Sequence, residues 1–161
     1  MKDRIKFNDA MLSAVMDGRK TQTRRPIDKE TLRVFDIASE VGECFPLDCN
    51  PDEPFERYHL EFFPYGEINS IINIADKDGN IKGKIEITDV WVQQVQEISQ
   101  DDAHAEGFEL TGWIPTYGDP DSGGETFTPY DKFADAWIGI YGEDSWNNNE
   151  WVWVIEFKKV E

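Results

Sequence analysis

The first third of the chain combines a strand pattern with a helix pattern. Polar and apolar side chains alternate over residues 4–7, which predicts a short strand. Apolar residues then recur three and four positions apart between Asn8, a good N-cap, and Gly18, which favours the end of a helix. An extended segment is expected over residues 22–24, before a proline stops it. Residues 28–33 are expected to add one or two helical turns.

A β-hairpin is the clearest element in the middle of the chain. Two apolar segments, residues 71–75 and 81–95, flank a turn at residues 76–80 that contains Asp-Gly, a strong hairpin signal. Strict alternation in the second arm would place Ile87 on one face and Val90 on the other. A strand as long as this second arm commonly bends around a small barrel.

The last third of the chain predicts two helices and a closing strand. The first helix begins after Ser99, carries acidic residues in its first turn and ends at Gly107. The second begins with Asp131 as its cap, has apolar residues spaced three and four apart, and ends at Gly142. Residues 151–158 alternate as a strand that is expected to be buried largely on both faces.

These elements predict an α+β fold. Four or more strands joined largely by local hairpins, with three short helices between them, favour a small, partly open β-barrel with short helices at its rim. A length of 161 residues favours a single domain over residues 1–161. Long loop insertions are expected at about 34–65 and 110–130. The first of them is either a functional loop or a variable surface excursion.

The net charge of −17 restricts the classes of partner. It argues against broad, non-specific affinity for nucleic acid, because such affinity depends on neutralising phosphates. A small basic pocket for one nucleotide remains compatible with it, and the acidic surface could itself imitate a polyanion. No apolar segment reaches the roughly 20 residues that a membrane-spanning helix needs, and no signal peptide is evident. We therefore expect no membrane partner and a cytoplasmic location.

Candidate metal ligands are few. Cys44 and Cys49 have four residues between them, a spacing that zinc sites can use, but the chain has no second pair of cysteines. A four-ligand site would need His59 or His104 in a mixed set. We expect two reduced thiols in a loop, no metal and no other cofactor.

The one locally basic stretch is Gly-Arg-Lys-Thr-Gln-Thr-Arg-Arg-Pro, at residues 18–26. It mixes four cations with two hydroxyl groups in an otherwise acidic chain, and such an island is a candidate anion site. The alternative is a solvated turn whose long side chains cover apolar surface.

Three segments resemble the ASCH domain family, whose members are PUA-like β-barrels. They are residues 14–25, which end in Gly-Arg-Lys-Thr-x-Thr-x-Arg, residues 95–108, and the closing strand at residues 151–157. Their order and spacing are similar to those of members carried by phages and prophages. The resemblance implies a protein that binds RNA or a nucleoside.

Some small bacterial members of this family are amidohydrolases that remove the acetyl group from N4-acetylcytidine. Matched residue by residue, the resemblance implies catalytic positions at Lys20, Thr23 and Glu106. Lys20 would be the base or the nucleophile, Thr23 an activated or substrate-orienting hydroxyl, and Glu106 a proton shuttle or the partner of Lys20. The substrate-binding candidates in the same motif are Arg19, Thr21, Arg24 and Arg25.

Two alternatives stay open from the sequence. Lys20 and Glu106 could form only an ion pair across the barrel mouth that contributes little to stability. The chain could instead be an acidic accessory protein of phage type that binds a host protein by imitating nucleic acid. The three-residue site itself requires that Lys20 and Glu106 meet in the fold.

Overall fold

The computed structural model describes residues 4–40, 60, 62–107, 113–114, 125–126 and 128–160. In chain order, the elements are β1 (Arg4–Lys6), α1 (Asp9–Met16), β2 (Gln22–Pro26), α2 (Lys29–Glu40), β3 (Ile71–Ala75), β4 (Ile81–Gln94), α3 (Gln100–Ala105), β5 (Trp113–Ile114), β6 (Glu125–Thr126), α4 (Pro129–Tyr141), α5 (Glu143–Asn147) and β7 (Trp151–Val160). A short 3-10 helix, Val95–Glu97, connects β4 to α3. The single domain over residues 1–161 stays a prediction.

Five strands form one mixed sheet in the order β1-β3-β4-β7-β2. β1 runs parallel to β3, and the other neighbouring pairs are antiparallel. The two edge strands, β1 and β2, do not pair with each other in the described part of the chain, so the sheet stays open. The predicted α+β class, with a partly open barrel and short helices, is confirmed.

Two apolar clusters pack on the sheet, and β7 contributes to both. Trp153 and Ile155 belong to the larger cluster, together with residues of α1, α2, β1, β3 and β4. Val152 and Val154 belong to the smaller cluster, which includes residues of α3 and α4. Alternate side chains of a strand point to opposite faces, so β7 is buried on both faces, as its sequence predicted.

A β-bulge changes the alternation of β4 between Ile87 and Asp89. Ile85, Ile87 and Val90 are all fully buried, and all belong to the larger apolar cluster. The prediction that Ile87 and Val90 lie on opposite faces is therefore wrong. The bulge inserts one extra residue, which moves every later side chain to the other face of the strand.

The side chains of the preceding residues cap α1, α3 and α4. Asn8 and Ser99 cap α1 and α3, as their sequences predicted. For α4 the predicted cap, Asp131, is wrong. Thr128 is the cap, and Asp131 is the third helical residue, whose side chain accepts from the Thr128 backbone to complete a capping box.

α2 is longer than the one or two turns predicted at residues 28–33. Its second half is stabilised by tertiary packing, since Phe35 is fully buried and its ring meets those of Phe62 and Trp153 edge-on. Residues 34–40 are consequently helical rather than part of the loop expected at 34–65. Much of the remainder of that loop, including both cysteines, lies outside the described residues.

The loop expected at residues 110–130 contains some regular structure. β5 and β6 form a two-stranded antiparallel ribbon, and the first residues of α4 fall before the predicted end of the loop. Within the described residues, no helix combines the length and the apolar content that crossing a bilayer requires.

Candidate functional site

Lys20 and Glu106 are in direct contact. Lys20 lies between α1 and β2, and Glu106 is the C-cap of α3. Lys20 Nζ donates to Glu106 Oε2 at 2.6 Å and to the Glu106 backbone carbonyl at 2.8 Å. Both side chains are buried, with exposed fractions of 3% and 4%. The contact that the three-residue site requires is therefore present.

Two glycines allow these segments to approach. Gly18 ends α1 with a φ of +85°, and Gly107 follows Glu106 with a φ of +104°. A Cβ on Gly107 would lie 3.3 Å from the Cβ of Ala14 and 3.4 Å from the Cβ of Lys20. Gly107 therefore supplies both the left-handed backbone and the close approach that bring Lys20 to Glu106.

Arg24 is the second cation on the Glu106 carboxylate. Its Nη1 donates to Glu106 Oε1 at 3.1 Å, while Lys20 occupies Oε2. The other acceptors around its guanidinium are side-chain oxygens of Gln22, Gln93 and Asp102, at 3.1, 3.1 and 3.5 Å. The Arg24 side chain is fully buried. This arrangement fixes the carboxylate of Glu106 from a second side.

Burial lowers the pKa of Lys20. Desolvation is the largest cause, and the Arg25 and Arg24 guanidinium groups act in the same direction. Glu106 acts in the opposite direction, through its charge and its hydrogen bond. A lowered pKa increases the fraction of neutral amine near physiological pH, and only the neutral amine can accept a proton or attack a carbonyl carbon.

Thr23 and Arg25 lie on β2 and interact with each other. Arg25 Nε donates to Thr23 Oγ1 at 3.2 Å, and Arg25 Nη2 donates to the Lys6 backbone carbonyl at 2.7 Å. The Arg25 guanidinium also lies 5.0 Å from the centre of the Phe7 ring. The oxygen of Thr23 thus accepts a hydrogen bond from a cation and keeps its own proton for donation.

A cavity of about 360 Å³ opens beside these residues. Its basic side chains are those of Lys6, Lys20, Arg24, Arg25 and Lys77, and Glu106 is its one acidic side chain within the described part of the chain. Its aromatic side chains are those of Phe7, Phe133, Trp137 and Tyr141. The volume falls in the range of sites for small molecules.

One buried donor of a cavity-lining residue has no hydrogen-bond partner among the described residues. Arg24 Nε is buried, and no acceptor among the described residues lies within hydrogen-bonding distance of it. An unsatisfied buried donor costs about 1–3 kcal/mol.

α4 supplies an aromatic wall that the sequence analysis did not assign to the site. Phe133 and Trp137 are buried, and Tyr141, one turn further along, is 38% exposed. The ring centres of Trp137 and Tyr141 are 4.3 Å apart. Burial raises the pKa of Tyr141, with a smaller opposing effect from Arg25. The spacing of these residues predicted one helical face but not that this face meets β2.

Arg19 and Thr21 lie away from the cavity. Arg19 is exposed, and its Nε pairs with Asp17 Oδ2 at 2.8 Å. Thr21 is also exposed, and its backbone groups bond to Ala105 and Phe157. The structure brings together Lys20, Thr23, Arg24, Arg25 and Glu106, whereas a substrate-binding role for Arg19 and Thr21 stays a prediction.

The described residues offer no obvious site for a metal ion. No group of three or more His, Cys, Asp or Glu side chains among them is arranged to hold a metal. Of the four candidate ligands considered from the sequence, three lie outside the described residues, and His104 is exposed on α3.

Comparisons with known proteins bear on the fold. No family model matches the chain, and no curated protein matches it. The chain is similar to the crystal structure of protein EF3133 from Enterococcus faecalis V583, assigned to family model DUF984, with a TM-score of 0.54 and 17% identity over 99% of this chain and 77% of that one. It is also similar to an ASCH domain from Lactobacillus crispatus JV V101, with a TM-score of 0.50 and 14% identity over 94% of this chain and 70% of that one. A phage origin stays a prediction. The chain has an ASCH-like fold.

Proposed function

We propose that the chain binds a nucleoside, free or within RNA, in the cavity beside Lys20 and Glu106. The observation that carries this proposal is the pairing of basic and aromatic walls around about 360 Å³ in a chain of net charge −17. Aromatic faces hold a base by stacking, and cationic donors match the oxygens of its edge. The family resemblance implies the same class of ligand.

Two groups at the cavity fit a base in particular. Tyr141 is the most exposed of the aromatic side chains at the cavity among the described residues, so its ring is available for stacking. Arg24 Nε is a buried donor that an exocyclic carbonyl oxygen of a pyrimidine would satisfy.

The distribution of charge favours a single nucleoside over a long nucleic-acid strand as the ligand. Binding along a nucleic-acid strand requires many contacts with phosphates, and the net charge of −17 opposes such contacts. The basic side chains at the cavity instead concentrate positive charge over the width of one ligand. A host protein as partner, the alternative considered from the sequence, stays a prediction.

Isothermal titration calorimetry with cytidine and the other common nucleosides tests this proposal. We expect binding by the wild type and a loss of about 5- to 150-fold in Tyr141→Ala, the range of one stacking interaction. Lys84→Gln is the control, because Lys84 is exposed on β4 and does not line the cavity. Equal losses in both variants, or no binding by the wild type, would contradict the proposal.

A second candidate function is hydrolysis of an acyl group on the base, and the environment of Lys20 favours it. The neutral amine of Lys20 would take the proton of the attacking hydroxyl, from Thr23 or from water, as the new bond to the acyl carbon forms. Arg25 would stabilise the charge that develops on Thr23 Oγ1.

The protons and bonds of this reaction balance without a cofactor. The proton held by Lys20 passes to the departing amine as the bond between the acyl carbon and nitrogen breaks. If Thr23 attacks, one water then hydrolyses the acyl ester and restores its hydroxyl. Glu106 would keep Lys20 in position throughout, through the hydrogen bond at 2.6 Å.

Release of cytidine and acetate from N4-acetylcytidine, followed by chromatography, tests the hydrolysis. We expect turnover by the wild type and by Lys84→Gln, and its loss in Lys20→Met and Thr23→Val. Circular dichroism would check that each variant is folded. Binding of the nucleoside without turnover in the wild type would leave the binding proposal and eliminate hydrolysis of this substrate.

A further inference from the structure

We propose that the ligand of the cavity is a nucleotide, and that Lys6 and Lys77 bind its phosphate monoester at the rim. This inference rests on the proposed nucleoside site, and it assigns a role to two lysines that the motif did not include. Both side chains are exposed and both line the cavity.

The fold brings these two lysines together from separate segments. Lys6 is the last residue of β1, and its Cε and Nζ would lie 3.7 and 4.0 Å from a Cβ placed on Gly79. Lys77 belongs to the same β3–β4 turn as Gly79. Arg4 Nη1 donates to the Gly79 carbonyl at 2.8 Å, which anchors the turn to β1.

The turn that carries Lys77 has a fixed conformation. Asp76 Oδ1 accepts from the backbone amides of Asp78 and Asn80, at 3.0 and 2.9 Å. Gly79 adopts a φ of +89°, and its amide donates to the Asp76 carbonyl at 3.0 Å. The position of Lys77 relative to Lys6 is therefore set by the backbone before any ligand arrives.

Neither Lys6 nor Lys77 forms an ion pair with another residue in the described part of the chain. No carboxylate among the described residues lies within 4.0 Å of either ammonium group, whereas Lys82 of the same hairpin pairs with Asp76 at 3.9 Å. Glu106, the acidic residue at the cavity, is already shared by Lys20 and Arg24. Lys6 and Lys77 thus give the rim an excess of positive charge beside the cavity, which has the size of a nucleoside.

A phosphate monoester matches this excess. It carries about −1.5 to −2 charge at pH 7 and has three acceptor oxygens. Lysines bind phosphate as flexible point charges, and this suits a group at the solvent-facing rim. A backbone phosphate within a strand has a single charge and two flanking sugars, so a free or terminal nucleotide fits the two lysines better.

Calorimetric titration of each common nucleoside and of its 5′-monophosphate tests the inference. We expect the wild type to bind the monophosphate about 2- to 30-fold more tightly than its nucleoside, the range that two partly solvated ion pairs would give. Lys6→Gln and Lys77→Gln should each reduce this ratio, because each should weaken binding of the monophosphate more than binding of the nucleoside. Lys84→Gln, an exposed lysine of β4 outside the cavity, makes the same charge change and should leave the ratio intact.

The possible outcomes separate the two proposals. If neither nucleosides nor monophosphates bind, both proposals fail. If a nucleoside binds and its monophosphate binds no more tightly, the phosphate site is wrong while the nucleoside site stands. If the monophosphate is preferred but Lys84→Gln lowers the preference as much as the two rim variants do, overall charge is the cause and the assignment to Lys6 and Lys77 is overturned.

Discussion

Replacing Glu106 by Gln removes the one negative charge that Lys20 and the buried Arg24 share. Glutamine has nearly the same shape and can still accept a hydrogen bond, so the change acts chiefly on charge. The side chains of Lys20 and Arg24 are 3% and 0% exposed, and water therefore cannot replace the carboxylate. Arg24 keeps a second carboxylate, Asp102, at 3.5 Å. The cost therefore falls mainly on Lys20.

The loss of stability in Glu106→Gln has an upper limit, because Lys20 can lose its proton. Breaking a buried ion pair from one side typically costs about 3–5 kcal/mol. In the variant, Lys20 can become neutral by releasing its proton. This release costs about 1.36 kcal/mol for each unit by which the pH lies below the ordinary lysine pKa of about 10.4, so the destabilisation that arises from Lys20 cannot exceed this amount. Because the pKa of Lys20 is already lowered in the wild type, the limit from Lys20 lies below about 4.6 kcal/mol at pH 7 and below about 1.9 kcal/mol at pH 9. We expect Glu106→Gln to destabilise the fold by between about 1 and 4.6 kcal/mol at pH 7 and by clearly less at pH 9.

Urea unfolding of the wild type and Glu106→Gln at both pH values measures this difference. Glu86→Gln is the matched control, because Glu86 pairs at 3.0 Å with Lys158, whose side chain is 67% exposed. A surface pair of this kind is worth at most about 1 kcal/mol. A loss below about 1 kcal/mol in Glu106→Gln at pH 7, or an equal loss at pH 7 and pH 9, would refute the reasoning.

Two further predictions concern the same segments. Gly107→Ala should lower the free energy of unfolding by roughly 1–3 kcal/mol, because φ is positive there and the new Cβ would press on Ala14 and Lys20. Gly139→Ala, in α4 with nothing within 4 Å of the new Cβ, should instead stabilise by about 0.5–1 kcal/mol in the same urea assay. The pKa of Lys20 is lower in the folded protein than in the unfolded chain, where it is about 10.4. At pH values between these two pKa values, Lys20 is protonated in the unfolded chain and largely neutral in the folded protein. The free energy of unfolding of the wild type should therefore rise with pH through this interval. Urea unfolding from pH 7 to 10 should show this rise relative to Lys20→Met, and parallel curves for the two proteins would contradict it.

The contact between Lys20 and Glu106 could be predicted from the family resemblance and the order of its motifs, and local signals placed both of its ends. Gly18 and Gly107 each end a helix, and glycine just after the last helical residue is a C-terminal signal that a sequence shows directly. The order of the motifs then placed one basic and one acidic residue at those ends. The sequence did not predict that Arg24 is the second cation on Glu106, because this contact depends on side chains from three different elements.

The errors lie where tertiary pairing overrides local periodicity. The bulge at Ile87 in β4 has no local signature, since its register depends on the partner strand β7. The cap of α4 was misplaced because Thr128 and Asp131 are both good caps, and only the capping box assigns their roles.

The cavity walls are long-range features that no local pattern specifies. The spacing of the aromatic residues in α4 predicted an apolar face without indicating what that face meets. Lys6 and Lys77 likewise become neighbours only through the parallel pairing of β1 with β3. The sequence thus predicted the two ends of the central ion pair, whereas the cavity beside it became evident only from the structure.

The central claim is that a nucleoside occupies the cavity beside Lys20 and Glu106. The most direct measurement is nuclear magnetic resonance mapping of backbone amide shifts in labelled protein on addition of cytidine or N4-acetylcytidine. The account predicts saturable shifts at cavity residues of three elements, namely Phe7 after β1, Thr23 on β2 and Tyr141 on α4. Shifts confined to other surfaces, such as the β5–β6 ribbon, or no saturable shifts for any nucleoside, would contradict it.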